Sequence, residues 1–125
     1  MRYFTLLCLL VLPLAAAQAA QPIQISSPDG AVRVTVDLTA QGQPTYAVRY
    51  GQTELLQPSR LGLRLAGADL SQNLRLTKAD KASTVADDYQ LSTDKRARCR
   101  YRATRRVLHF AAPAGGPQLS IVFQV

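Results

Sequence analysis

The chain has 125 residues, of which 15 are basic and 8 acidic, with one histidine, two cysteines and no tryptophan. That length allows one domain. Only one cysteine, Cys99, lies beyond the leader described below, so an internal disulfide and histidine- or cysteine-rich metal centres are excluded. The net charge of +7 is local: acidic and basic side chains nearly balance up to Asp94, after which Lys95, Arg96, Arg98, Arg100, Arg102, Arg105 and Arg106 follow with no acidic residue.

The start reads as a secretory signal peptide over residues 1–19, leaving 20–125 as the domain. Arg2 leads into an apolar run, and Ala17-Gln18-Ala19 forms a small-residue cleavage signal. The apolar core is shorter than the about 20 residues a membrane span needs, so no membrane association is expected after cleavage. Cys8, preceded by bulky Leu7 inside that core, does not suit a lipid-attachment site.

Beyond the leader, Ile23 and Ile25 lie on one side of a short extended segment. Pro28-Asp29-Gly30 then predicts a turn, because proline presets φ, aspartate accepts a backbone hydrogen bond and glycine takes positive φ. Val32, Val34, Val36 and Leu38 alternate with Arg33, Thr35 and Asp37 as a half-buried strand. After the loop at residues 40–44, Tyr46, Val48 and Tyr50 resume the alternation, and both tyrosines are expected to pack. Gly51-Gln52 links this run to residues 53–56, so the segment reads as a meander. Pro58 is expected to interrupt the pairing, with Leu61, Leu63 and Leu65 restarting it. Leu74 and Leu76 suggest a short strand ending near Lys78, and residues 78–88 read as a loop or single helical turn.

A turn at Ser92-Thr93-Asp94 introduces a strand in which Arg96, Arg98, Arg100 and Arg102 alternate with Ala97, Cys99, Tyr101 and Ala103. Thr104-Arg105-Arg106 is expected to turn the chain into Val107-Leu108-His109-Phe110. A Pro- and Gly-rich loop at residues 112–117 leads to the most apolar strand candidate, 119–125, which ends without a cap and suggests that the sandwich continues beyond Val125. Many short strand candidates with no helical periodicity make the fold all-β and antiparallel, as a sandwich.

Catalytic arrangements fail on inventory. His109 is the lone histidine, flanked by Leu108 and Phe110, and reads as an ordinary strand position. No serine stands in a Gly-x-Ser-x-Gly turn. Glycoside hydrolysis needs two facing carboxyls, one with a raised pKa. Asp87 and Asp88 are adjacent and read as a solvated turn, and Glu54 is the only glutamate, so no catalytic or metal-ligating residue is assigned. The arginine face could track an anionic polymer, but such a row also keeps an exposed strand soluble. Tyr101 falls on the opposite face, and export removes most nucleic-acid partners.

Ser27-Pro28-Asp29-Gly30 with Val-x-Val-x-Val, then Pro44-Thr45-Tyr46-x-Val48-x-Tyr50-Gly51, then Leu56-x-Pro58-Ser59-x-Leu61-Gly62-Leu63, resembles the start of the N-terminal domain of glycoside hydrolase family 97. Lys95-Arg96 entering a strand and the run at 119–125 extend the likeness in order. The resemblance implies part of a β-super-sandwich similar to galactose mutarotase, packed in the parent enzyme against a catalytic (β/α)₈ barrel. It further implies an exported, periplasmic bacterial α-glucosidase or α-galactosidase that acts on an α-linked oligosaccharide and depends on calcium. The family's catalytic carboxylates and calcium-binding glutamates lie outside this chain, so it is expected to be inactive alone and to hold no cofactor. The alternative is a small periplasmic β-sandwich that binds an anionic polysaccharide through the arginine strand.

Overall fold

The computed structural model describes residues 21–90 and 98–125. The segment expected to be a signal peptide (1–19), Leu91, and the expected turn at Ser92-Thr93-Asp94 and strand start at Lys95-Arg96-Ala97 lie outside the described residues. Ten strands and one 3-10 turn (Pro113–Gly115) make up the described part, which is all-β and antiparallel as the sequence predicts.

The first sheet is the meander β1 (Ile23–Ser26), β2 (Val32–Leu38), β3 (Pro44–Tyr50) and β4 (Thr53–Arg60), in that order. Its registers, Ile25↔Val34↔Val48 and Ile23↔Val36↔Tyr46, stack the apolar members of each alternating run on one face. The turn before β2 is built as its residues dictate: the Gly30 N–H donates to Ser27 O, the Ala31 N–H donates to the Asp29 carboxylate, and Gly30 sits at φ +73.

Pro58 does not interrupt β4. The ladder passes it as a bulge between Tyr46↔Ser59 and Val48↔Leu56, and a second irregularity leaves Leu55 unpaired and exposed. Because β4 is an edge strand, its missing N–H has nothing to satisfy. Pairing does restart at Leu61, Leu63 and Leu65, but it leaves the first sheet after Leu61. The Leu61 N–H donates to Pro44 O, while β5 (Arg64–Leu65) pairs with β6 (Ala68–Asp69) and Leu63 exchanges backbone hydrogen bonds with Leu70, making a small hairpin outside the main sheets. Leu63 and Leu65 are exposed, whereas Leu70, which returns from that hairpin, is buried.

The second sheet is centred on β9 (Arg98–Ala111), fourteen residues long. The expected turn at Thr104-Arg105-Arg106 is absent, and β9 runs straight through it. No glycine or proline breaks the chain there, Arg105 pairs with both Ser83 and Gln124, and Thr104 exchanges backbone hydrogen bonds with Val125. The segment assigned to loop or helical turn is likewise strand. β7 (Arg75–Ala79) pairs the end of β9 and β8 (Ser83–Gln90) pairs its beginning, so the two form one interrupted strand antiparallel to β9. Cross-strand pairing overrides the weak strand propensity of this polar stretch. β10 (Gln118–Gln124) pairs β9 on its other side.

The two sheets meet around Ile25, Val34, Val36, Leu70, Leu74, Leu108 and Phe110. Leu108 and Phe110 are 0% and 2% exposed. Tyr46, Val48, Leu76, Leu119, Ile121 and Phe123 pack around this centre. Tyr50, expected to pack, is instead 58% exposed, since it ends β3 at the Gly51 turn past the edge of the core. β8 contributes nothing to the core, so β8 and the first half of β9 project from the sandwich as a two-stranded arm.

Candidate functional site

Four aspartates are held ionised by nearby donors. Asp29 sits below the ordinary value of 3.8, chiefly through the Ser27 hydroxyl and then the Ala31 N–H. Asp69 is lowered by the Ser71 hydroxyl and backbone N–H, with Arg64 adding a smaller effect. Asp80 is lowered first by Lys78, whose Nζ lies 2.7 Å away, and then by His109. Asp88 is lowered chiefly by Arg98. A general acid in glycoside cleavage needs the opposite shift, which burial or a second carboxylate supplies. These four carboxyls therefore suit ion pairing and turn closure.

Asp88 lies in β8, in strand rather than in the turn expected of it and Asp87. The Asp88↔Arg100 register puts Arg100 directly across, with Arg98 on the diagonal. Arg98 Nε and Nη2 donate to the two carboxylate oxygens at 2.8 and 2.7 Å, and Arg100 Nε donates at 2.9 Å. The bidentate contact also raises the Arg98 pKa. The described part of the basic row is thus an internally paired face, with Arg102 the exposed cation beyond it. A shallow groove of about 380 Å³ runs along this face, lined by Ala86, Asp88, Arg100 and Arg102 with the Asp87 and Tyr101 positions between them.

His109 keeps its strand position, but the structure gives it partners that sequence spacing did not suggest. Its Nδ1 lies 2.9 Å from Ser120 Oγ, and its Nε2 lies 3.3 Å from Asp80 Oδ2. Register produces this chain, since His109 is opposite Ser120 on β10 and Lys78 on β7. Although the residue types match a hydrolytic triad, the chemistry does not follow. β9 is the central strand here, so its neighbouring N–H groups are committed to ladders on both sides and cannot form an oxyanion hole. The arrangement ties β9 to β10 and to the link that follows β7.

Among the described residues, no group of three or more His, Cys, Asp or Glu converges on a common point. Asp80 and Asp88 spend their oxygens on cations, so these carboxylates do not fit a calcium cage.

One cluster was missed in the sequence. On the arm, Asp87 pairs with Tyr101 and Tyr89 with Cys99, which places these four side chains on the face away from the arginines. The alternation of Val85, Asp87 and Tyr89 was its only signal, and without recognising β8 as a strand no register could place Tyr89 beside Tyr101.

The Glycosyl-hydrolase 97 N-terminal family model matches residues 25–125. A probable retaining alpha-galactosidase from Streptomyces bingchenggensis (strain BCW-1) is 34% identical over 93 residues, which is 74% of this chain and 14% of that protein. Among solved structures, a beta-arabinopyranosidase superposes with a TM-score of 0.76 at 27% identity, over 84% of this chain and 16% of its own. A Glycoside Hydrolase Family 97 enzyme from Pseudoalteromonas sp. strain K8, solved in complex with panose, shares the fold with a TM-score of 0.70 at 21% identity, over 82% of this chain and 15% of its own. The chain thus spans only a small share of each of these relatives.

Proposed function

Because the chain belongs to the Glycosyl-hydrolase 97 N-terminal family, we propose that it is the non-catalytic β-sandwich portion of an exported α-glycosidase. In this reading, residues 1–19 direct export to the bacterial periplasm, and the sandwich buttresses a catalytic barrel contributed by the rest of the parent enzyme. The parent's substrate is an α-linked oligosaccharide. An alpha-galactosidase among the relatives and a family 97 enzyme that binds panose both support that class. Calcium, implied by the family likeness, is held by residues of the parent outside this chain.

One observation carries the non-catalytic reading. The carboxylates of Asp29, Asp69, Asp80 and Asp88 accept hydrogen bonds from Ala31 N–H, Ser71 N–H, Lys78 Nζ, and Arg98 with Arg100, respectively, and these contacts lower their pKa values, which is opposite to what an acid catalyst requires. The purified chain, incubated with 4-nitrophenyl α-glucoside and α-galactoside, is expected to release no nitrophenol above buffer. Release that disappears in Asp80→Asn or Asp88→Asn would overturn the reading.

A further inference from the structure

Along β9 the sheltered side of the strand changes over. In the second half, Leu108 and Phe110 point into the core; in the first half, Ala103 on the other face is buried, while Arg98, Arg100 and Arg102 are exposed. The arm therefore carries its apolar side chains on the face opposite the arginines. Tyr89 and Tyr101 are diagonal neighbours there and are 43% and 40% exposed. Their surroundings converge. The Tyr89 hydroxyl titrates above the usual tyrosine value, first because of the Cys99 thiol, with burial, Asp87 and Tyr101 adding smaller effects.

Polar groups surround the two rings. The Gln124 amide donates to the Tyr101 hydroxyl at 3.1 Å and fixes that ring's tip. Asp87 Oδ1 accepts the N–H of Asp88 at 2.9 Å, and among the described residues no cation pairs with this carboxylate.

We propose that this face of the β8–β9 arm is a binding platform for a neutral oligosaccharide, with sugar rings stacked on Tyr89 and Tyr101 and a ring hydroxyl donating to Asp87. The proposal rests on the reading of the chain as part of a carbohydrate-active enzyme. Exposed aromatic faces rimmed by hydroxyl, amide and carboxylate groups match the alternating apolar and hydroxylated surface of a sugar. A protein lid fits less well, because it would bury the Asp87 carboxylate without a cation, and interface cores are depleted of such groups. An acidic polymer would be repelled by Asp87, with the arginines pointing away.

The test titrates the full chain with panose and with melibiose by calorimetry, alongside tyrosine emission, which no tryptophan obscures. The expected result is saturable binding of at least one of these sugars, weakened about tenfold or more by Tyr89→Ala and by Tyr101→Ala. Tyr89→Phe keeps the ring and is expected to retain binding, which guards against a folding artefact. Tyr50→Ala, at the exposed tyrosine of β3, leaves binding unchanged. Failure of both sugars to bind, equal binding by the Tyr101→Ala variant, or binding only of polygalacturonate that is lost in Arg100→Ala would each overturn the platform. If neither sugar binds while the chain stays inactive on nitrophenyl glycosides, the platform falls and the non-catalytic reading stands. If the chain itself cleaves panose, the non-catalytic reading falls, and the alanine variants still decide the platform.

Discussion

Replacing Gly42 by alanine probes the contact that locks the first sheet to the link between the sheets. Gly42 sits at φ +66, and an added Cβ would lie 2.5 Å from the backbone oxygen of Leu74 and 2.7 Å from its nitrogen. The left-handed conformation costs a non-glycine residue about 1–2 kcal/mol. Relieving the overlap requires residues 73–74 to retreat, which breaks the bonds from Leu74 N–H to Gly42 O (2.8 Å) and from Asn73 N–H to Gln41 O (2.9 Å). Each such bond contributes about 1 kcal/mol net, so the total loss is about 3–4 kcal/mol. For a domain of this size that lowers Tm by about 15 °C or more.

Two other glycines separate the components. Gly30 has φ +73 with nothing within 4 Å of its Cβ position, so Gly30→Ala bears the conformational cost alone. Gly62 has no positive φ, but its Cβ would lie 2.5 Å from Ser71 Cα, so Gly62→Ala bears the packing cost alone, about 1–3 kcal/mol. Thermal melts followed by circular dichroism should place Gly42→Ala lowest of the three. A Gly42→Ala variant that melts with Gly30→Ala would refute the proposed lock.

Other predictions concern the core, acid titration and the arm. Leu108→Ala removes a fully buried side chain from the core between the two sheets and should cost about 2–5 kcal/mol in urea unfolding, whereas Leu55→Ala, at a 63% exposed bulge position, should be close to neutral. Asp29, Asp69, Asp80 and Asp88 have folded pKa values below 3.8, so their contribution to stability is fully present above that value and is lost as pH falls through the folded values. Tm should therefore drop below about pH 4, and Asp88→Asn should flatten part of that slope. Asp88→Asn should also speed amide exchange in β8 and the first half of β9 while leaving β2 and β3 unchanged, because Asp88 anchors Arg98 and Arg100 only on the arm.

Legibility in the sequence followed the strength of local patterns. The strands from Ile23 to Tyr50 and the last strand could be read because every second side chain is apolar and glycine or proline marks the turns. β8 was not legible. Its side chains are mostly exposed and polar, and its strand state depends on a ladder to β9, a partner that local propensity cannot see. The same blindness made Thr104-Arg105-Arg106 look like a turn, although bonds to Val125 and Ser83 hold those residues extended. Pro58 carried a real signal, a missing donor, whose consequence was a bulge at an edge rather than a break. As for the site, the arginine row was visible from its spacing, but its pairing with Asp88 and the convergence of Tyr89 on Tyr101 both depend on register.

The claim that this sandwich serves a sugar-cleaving unit not contained in it is tested most directly by reading the coding sequence past the Val125 codon. The account predicts that the frame continues, first into further strands and then into a barrel-forming segment that supplies the paired carboxylates absent from the described residues. A stop codon directly after Val125, with no continuing frame downstream, would contradict it.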